Sequence, residues 1–158
     1  MTAKVVFGVS DQEELEAPQD AVERRYALRT VKQRLHQAVF REAVVGTYID
    51  RCAFSGSPEQ RLLDAAHIIS DKHEALGKPI VPNWLPLSKT HDAAFDAHML
   101  GIDPNYRLHV SDHLLVQNDG PLLELLKQLQ KQKLYLPKRR QDSPDRDRLA
   151  QRFETFLT

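Results

Sequence analysis

Three short stretches decide the reading of this chain: Leu62-Leu63-Asp64-Ala65-Ala66-His67-Ile68-Ile69, then Val81-Pro82-Asn83-Trp84-Leu85-Pro86-Leu87, then His91-Asp92-Ala93-Ala94-Phe95-Asp96. The first is short and apolar and predicts a strand within residues 61–69. Alternation along it puts Asp64 and Ala66 on one face and turns His67 to the other with Ala65 and Ile69. The second is framed by Pro79, Pro82 and Pro86, which predicts an extended connection rather than a helix. The third follows Ser88, a good N-cap, and predicts a helix running to about Met99 with Gly101 as its stop. Asp92 and Asp96 are four apart and are neighbours on that helix. His91 and His98, seven apart, share a face about one residue's rotation away.

Outward from these stretches the chain alternates helical and turn signals. Asp20, with Glu23 three residues on, has the form of a capping box. From Ala21, Val22, Tyr26, Leu28, Val31, Leu35, Val39 and Phe40 recur at helical spacing, with no Pro or Gly before Gly46. A break near Gln37 or Glu42 is open at this level, and the signal fades around Tyr48–Asp50. Ser55-Gly56-Ser57-Pro58 predicts a tight turn and 72–78 a polar loop. Residues 106–110 predict a strand and 134–136 a further short one. Pro121 opens an amphipathic helix carrying Leu122, Leu123, Leu125, Leu126 and Leu129. Residues 145–157 predict a terminal helix with Leu149, Phe153, Phe156 and Leu157 inward. Residues 1–19 begin apolar and turn acidic, as a short strand or a tail.

The chain has 158 residues, 41% hydrophobic and 28% charged, which is enough for one domain with a real core and too apolar for disorder. No apolar run approaches the roughly 18 residues of a membrane span, and the N-terminus lacks a signal-peptide pattern. Cys52 is the single cysteine, which excludes an internal disulfide and any site of two thiolates. These features together predict a cytoplasmic protein with no membrane partner. The formal net charge is zero, from 22 basic and 22 acidic residues, but it is unevenly spread. Arg24, Arg25, Arg29, Lys32, Arg34 and Arg41 follow one another with no acid between them. So do Lys127, Lys131, Lys133, Lys138, Arg139 and Arg140. Each stretch is either a phosphate-binding patch or a solvated face.

A strand carrying His67, a loop carrying Asn83 and a helix carrying His91-Asp92 stand in the order of the HNH motif. The sequence resembles the HNH (ββα-metal) endonuclease family, and within it the McrA-like, modification-dependent restriction enzymes, over about residues 25–110. The resemblance implies an α+β fold: a ββα-metal core at about 51–100 with additional flanking helices, within a nuclease domain over 20–158 and an N-terminal extension over 1–19. It implies a metal-dependent DNA endonuclease of a restriction or defence system. By place in the motif, His67 is the general base. Asn83 either ligates the metal or orients His67, and Asp92 takes the position of the closing histidine. His91, Asp64 and Asp96 are nearby candidates. The implied catalytic set is His67, Asn83 and His91; the implied metal set is Asp64, Asn83, Asp92 and Asp96. Such a site is rich in oxygen, which favours Mg²⁺ or Mn²⁺.

Two departures from the family pattern matter. The positions of the usual structural zinc knuckles are Cys52, Ser55, Ser88 and His91, and hydroxyls are poor zinc ligands, so no structural zinc is expected. Packing around Phe54, Leu87 and Phe95 is expected in its place. Enzymes of this kind usually carry a separate reader domain, for which no room is expected in this chain, so the resemblance implies a cut-out nuclease domain, a stand-alone nuclease or a subunit acting with a reader. The partner implied is DNA, with a homodimer or a separate modified-base reader domain or subunit as options. The alternative reading is a catalytically silent DNA-binding or interaction module that retains the fold.

The basic stretches give a test. Charge reversal of Arg24, Arg25 and Arg29, or of Lys138, Arg139 and Arg140, is expected to weaken DNA binding and flatten its dependence on salt, because fewer counterions are released. An unchanged slope of log Kd against log salt in both triple variants would mean that both stretches are solvated faces.

Overall fold

In the computed structural model, residues 17–118 and 120–158 are described. The apolar-then-acidic start of the chain lies outside them as far as residue 16. Nine principal elements follow: helix α1 (Ala17–Thr47), strands β1 (Leu63–His67) and β2 (Trp84–Ser88), helix α2 (Lys89–Asp96), strands β3 (Leu100–Ile102) and β4 (Leu108–Val110), and helices α3 (Asp112–Leu115), α4 (Pro121–Lys127) and α5 (Arg146–Leu157). Val39–Thr158 form one compact unit, and the preceding part of the chain is a separate one. The class is α+β, with two small antiparallel sheets among helices.

The helix expected from Ala21 begins earlier, at Ala17. Asp20 is therefore inside it rather than capping it, and Pro18 falls in the first turn, where its missing N–H is not needed. No break occurs at Gln37 or Glu42. The helix ends at Thr47, where Ile49 and Asp50 both take positive φ and turn the chain. Its apolar residues Val22, Tyr26, Leu28, Val31, Leu35 and Val39 are all exposed.

In the compact unit, β1 pairs antiparallel with β2 in a register that sets Leu63 opposite Ser88 at one end and His67 opposite Trp84 at the other. The strand expected over 61–69 is shorter, because Gln60–Leu62 form a 3-10 turn. The expected connection at 79–87 contains a strand that the prolines concealed. Pro86 has no N–H to donate to a ladder, yet β2 is the outer partner of a two-stranded ribbon, and its carbonyl accepts from Ala53 N at 2.7 Å. Ser88 caps α2, its side chain accepting from His91 N. That helix stops at Asp96, short of Met99. His98 takes the left-handed turn at φ 54 and frees Gly101 to lie in β3. An added Cβ at Gly101 would come within 2.6 Å of the Phe156 ring, so the glycine serves a close approach and not a helix end.

The second hairpin pairs Leu100 with Val110. The strand expected at 134–136 is absent. Lys133 makes one bridge to Arg107 instead, and Tyr135 N donates to Ala53 O. Ser111 caps the short α3, an element the sequence reading passed over. Of the leucines on α4 and just beyond it, Leu126 and Leu129 are buried and Leu122 and Leu125 exposed. Asp145 caps α5, whose Leu149 is fully buried, whereas Leu157 is 68% exposed and not inward.

The core gathers where both strands, α2, the second hairpin and α5 meet. Phe54, Leu63, Ile68, Leu85, Leu87, Phe95, Leu100, Ile102, Leu108, Leu114 and Leu149 are nearly or wholly without exposure. Phe95 lies at its centre, edge-on to Phe54 at 5.7 Å. Such a ring has no space to collapse into when it is removed. Phe95→Ala is expected to cost about 3–5 kcal/mol in urea unfolding, through lost transfer energy and the cavity left behind. A cost under about 1 kcal/mol would show that this ring is not central to the core.

Candidate active site

The site builds from the far end of the first hairpin. His67 closes β1, half-buried, with its ring against the Trp84 ring of the paired residue at 3.5 Å between centroids. Phe40 meets the same indole edge-on at 4.9 Å. Burial is the largest influence on His67 and pushes it below the ordinary value of 6.5; Arg152 adds to this, and Asp71 and Asp96 oppose it. A histidine so placed is a neutral imidazole near neutral pH, the form that takes up a proton.

Asn83 stands at the other side of the turn out of β1. It is fully buried. Its Oδ1 accepts from Ile69 N at 2.9 Å and its Nδ2 donates to Ile69 O at 2.9 Å, with a further bond to Lys78 O at 3.3 Å. Its own backbone carbonyl accepts from Ile68 N. Asn83 was expected either to ligate the metal or to orient His67; its side-chain carbonyl is buried and accepts from the backbone two residues beyond His67.

His91 stands at the other end of the hairpin. Its Nδ1 lies 2.8 Å from Ser88 Oγ and 3.4 Å from Cys52 Sγ, and its ring packs near Phe54. Ser88 pairs with Leu63, at the opposite end of the hairpin from His67. His91 therefore does not stand beside the candidate base. It joins the four knuckle positions, which do converge, but through hydrogen bonds. Burial pushes the Cys52 thiol up, yet hydrogen bonds with His91, then Ser55, then the backbone outweigh it and bring it down to about 6. Ser55 and Ser88 supply hydroxyls where tight zinc binding needs thiolate or imidazole, so these residues do not fit structural zinc.

The carboxylates divide by partner. Asp64 Oδ1 lies 3.7 Å from Arg41 Nε and accepts from Ala65 N. Asp96, on α2, lies 3.4 Å from the Arg152 guanidinium. Asp92 is half-buried, and its carboxyl is raised by burial first and then by Asp96 and Asp64, with Arg152 opposing. Asp64, Asp92 and Asp96 thus bear on one region, although among the described residues no three His, Cys, Asp or Glu side chains gather closely enough to form a metal cage. Strict alternation along β1 does not sort its faces: Leu63 and Ala66 are buried, and Asp64, Ala65 and His67 are half-open. A two-stranded ribbon twists strongly enough to do this.

Arg152 escaped the sequence reading, and Arg41 entered it only as part of a basic stretch. Arg41 Nη2 donates to Leu63 O and Gln60 O. Arg152 sits within the inward stripe of α5 defined by Leu149, Phe153 and Phe156, which was the available signal for it. The basic positions proposed for DNA, Arg24, Arg25, Arg29, Lys138, Arg139 and Arg140, are all exposed. Arg139 pairs with Asp142 at 3.0 Å.

With a ββα unit carrying a histidine at the end of its first strand and carboxylates on its helix, the arrangement is that of a nuclease of the ββα type. Residues 52–103 match the family model described as HNH endonuclease, so the chain carries an HNH endonuclease domain. Among solved structures, the chain is similar to one titled modification dependent TagI restriction endonuclease, with TM-score 0.50 and 16% identity, over 75% of this chain and 37% of that one. At that identity the likeness is one of fold, and the chain spans well under half the length of that protein. No curated protein matches it in sequence. Among the described residues, no helix is long and apolar enough to cross a membrane.

The knuckle residues give a measurement. Elemental analysis of purified protein is expected to find no stoichiometric zinc, and chelator to leave its melting temperature unchanged. One zinc per chain lost together with Cys52 in Cys52→Ser would overturn the hydrogen-bonded reading of this cluster.

Proposed function

We propose that this protein is a metal-dependent DNA endonuclease that hydrolyses phosphodiester bonds with His67 as general base, and that it serves a cytoplasmic restriction or defence system. The observation that carries the reading is His67 itself: half-buried, favoured in its neutral form by burial, set against Trp84 and within the electrostatic influence of Asp96 on α2.

Each residue then has a task. His67 takes the proton from the attacking water, and the Trp84 ring limits how far the imidazole can turn. Asn83 does not touch the reaction; it holds Ile69 by both backbone groups and so fixes the strand end that bears His67. The donor chemistry fits a hard divalent ion. Asp92 is partly withdrawn from water and pressed by two like charges, a tension that a bound cation relieves. Mg²⁺ and Mn²⁺ keep several waters and need only one or two carboxylates, so Asp92 with Asp64 or Asp96 would suffice to hold either. When bound, the ion stabilises charge developing on the phosphoryl and leaving oxygens. DNA is the substrate proposed, with the basic stretches holding phosphates. A separate reader of modified bases, or a second copy, would complete target selection.

Plasmid cleavage with Mg²⁺, Mn²⁺ or EDTA tests this reading. His67→Ala should lower the rate by roughly 10²–10⁴-fold with DNA binding retained, the usual worth of a general base. Asp92→Asn should lose activity that high Mn²⁺ partly restores. The pH profile has a definite sign. The neutral imidazole is the active form, its share grows as pH rises through the His67 pKa, and that pKa lies below 6.5. Activity should therefore rise along a limb centred below 6.5 and be lost in acid. His67→Ala cleaving at the native rate would remove the base assignment and favour a silent module.

A further inference from the structure

We propose that Arg152 is a positioning residue for hydrolysis: its guanidinium ties the end of β1 to the end of α2 and so sets the spacing between the candidate base and the candidate metal-binding carboxylates. The inference rests on the reading of His67 and Asp92 above. It concerns a residue on α5, outside the stretch 52–103 that matches the HNH family.

The contacts are specific to a forked cation. Nη1 lies 3.4 Å from the carbonyl of Ile68, the residue after His67. Nη2 donates to the carbonyl of Phe95 at 2.9 Å and approaches Asp96 Oδ1 at 3.4 Å. The guanidinium carbon lies over the Phe95 ring, 4.2 Å from its centroid. One planar group thus reaches the strand that presents the base, the last turn of the helix that presents Asp92 and Asp96, and the central ring of the core. A lysine ammonium is a point donor and does not reproduce that fork. The side chain is 16% exposed, so the contacts are largely shielded from water.

Arg148, one turn earlier on the same helix, shows the contrast. It bonds Leu76 O at 2.8 Å and lies 3.4 Å from Asp145, and it touches neither β1 nor α2. Arg152 is therefore the link from α5 to both halves of the candidate site. Its charge also bears on His67, Asp92 and Asp96, and Asp71 bears on His67 from the loop after β1.

The test compares the native chain with Arg152→Gln and Arg152→Lys in single-turnover cleavage of plasmid DNA with Mn²⁺. Each rate is divided by the folded fraction from near-ultraviolet circular dichroism. DNA affinity is measured separately in EDTA, and the His67 ring proton signals are recorded by NMR in metal-free protein. The expected result is a fall of roughly 10²-fold in the rate per folded Arg152→Gln molecule, the scale of a displacement near 1 Å. DNA affinity should be unchanged, the His67 ring signals shifted, and Arg152→Lys should recover part of the rate. A native rate per folded molecule, a loss confined to DNA affinity, or a loss that follows folded fraction alone would each overturn the role. A native chain that cleaves no DNA overturns the nuclease reading and this role with it. That failure is seen in the control, apart from any effect of the variants.

Discussion

The site depends on one buried side chain amide. Asn83 holds Ile69 by N–H and C=O together, two bonds of 2.9 Å in a place without water. Backbone groups at that depth cost about 1–3 kcal/mol each when left unpaired, so the loop out of β1 has no comparable alternative. With Ile68 N on the Asn83 carbonyl as well, both ends of the long connection 68–83 are joined where β1 and β2 meet. The pairing of His67 with Trp84 follows, and so does the stacking of their rings. The amide thereby fixes the backbone just beyond His67.

The opposite end of the hairpin shows a second solution to a similar need. Four side chains converge on the knuckle geometry, but with one thiol, one imidazole and two hydroxyls they make a hydrogen-bonded cluster. Ser88 closes it twice, bonding the His91 ring and receiving its backbone N–H as the cap of α2. The Phe54 and Phe95 rings pack beneath. The positional restraint that a metal would impose on the start of α2 is supplied by capping, by Cys52 and by burial of aromatic surface.

Between these two ends the balance of charge shapes the chemistry. Asp64 and Asp96 both press on Asp92, and two arginines from helices outside the ββα unit pair with them: Arg41 from the last turns of α1 with Asp64, Arg152 from α5 with Asp96. Neither arginine pairs with Asp92, whose raised carboxyl is left as the tension in the site. The same field acts on His67, where burial outweighs the neighbouring acids and favours the neutral ring. A neutral imidazole and an underneutralised carboxylate are the two groups that the proposed hydrolysis would use.

Much of this was legible in the order of residues. The strand with His67, the Ser88 cap, the helix with Asp92 and Asp96, the turn at 51–58 and the Pro121 and Asp145 helix starts are local matters, set by periodicity, capping and backbone restriction. The class of the fold came from the family resemblance those residues carry, and so did the expectation for His67. The prolines hid β2, because strand formation at 84–88 depends on a partner far along the chain rather than on local preference. The start of α1 was misplaced because Asp20 with Glu23 has the form of a capping box, although the helix already begins at Ala17. The separation of His91 from His67 follows from hairpin register, which sequence spacing does not contain. Arg41 was visible only as the end of a basic stretch and Arg152 only as a charge within the inward stripe of α5: their meaning lies in carbonyls and carboxylates brought to them by packing. Sequence determined which groups were available for catalysis, since chemistry belongs to side chains. Tertiary structure decided which of them meet, since burial, register and long-range hydrogen bonds arise only once the chain has closed on itself.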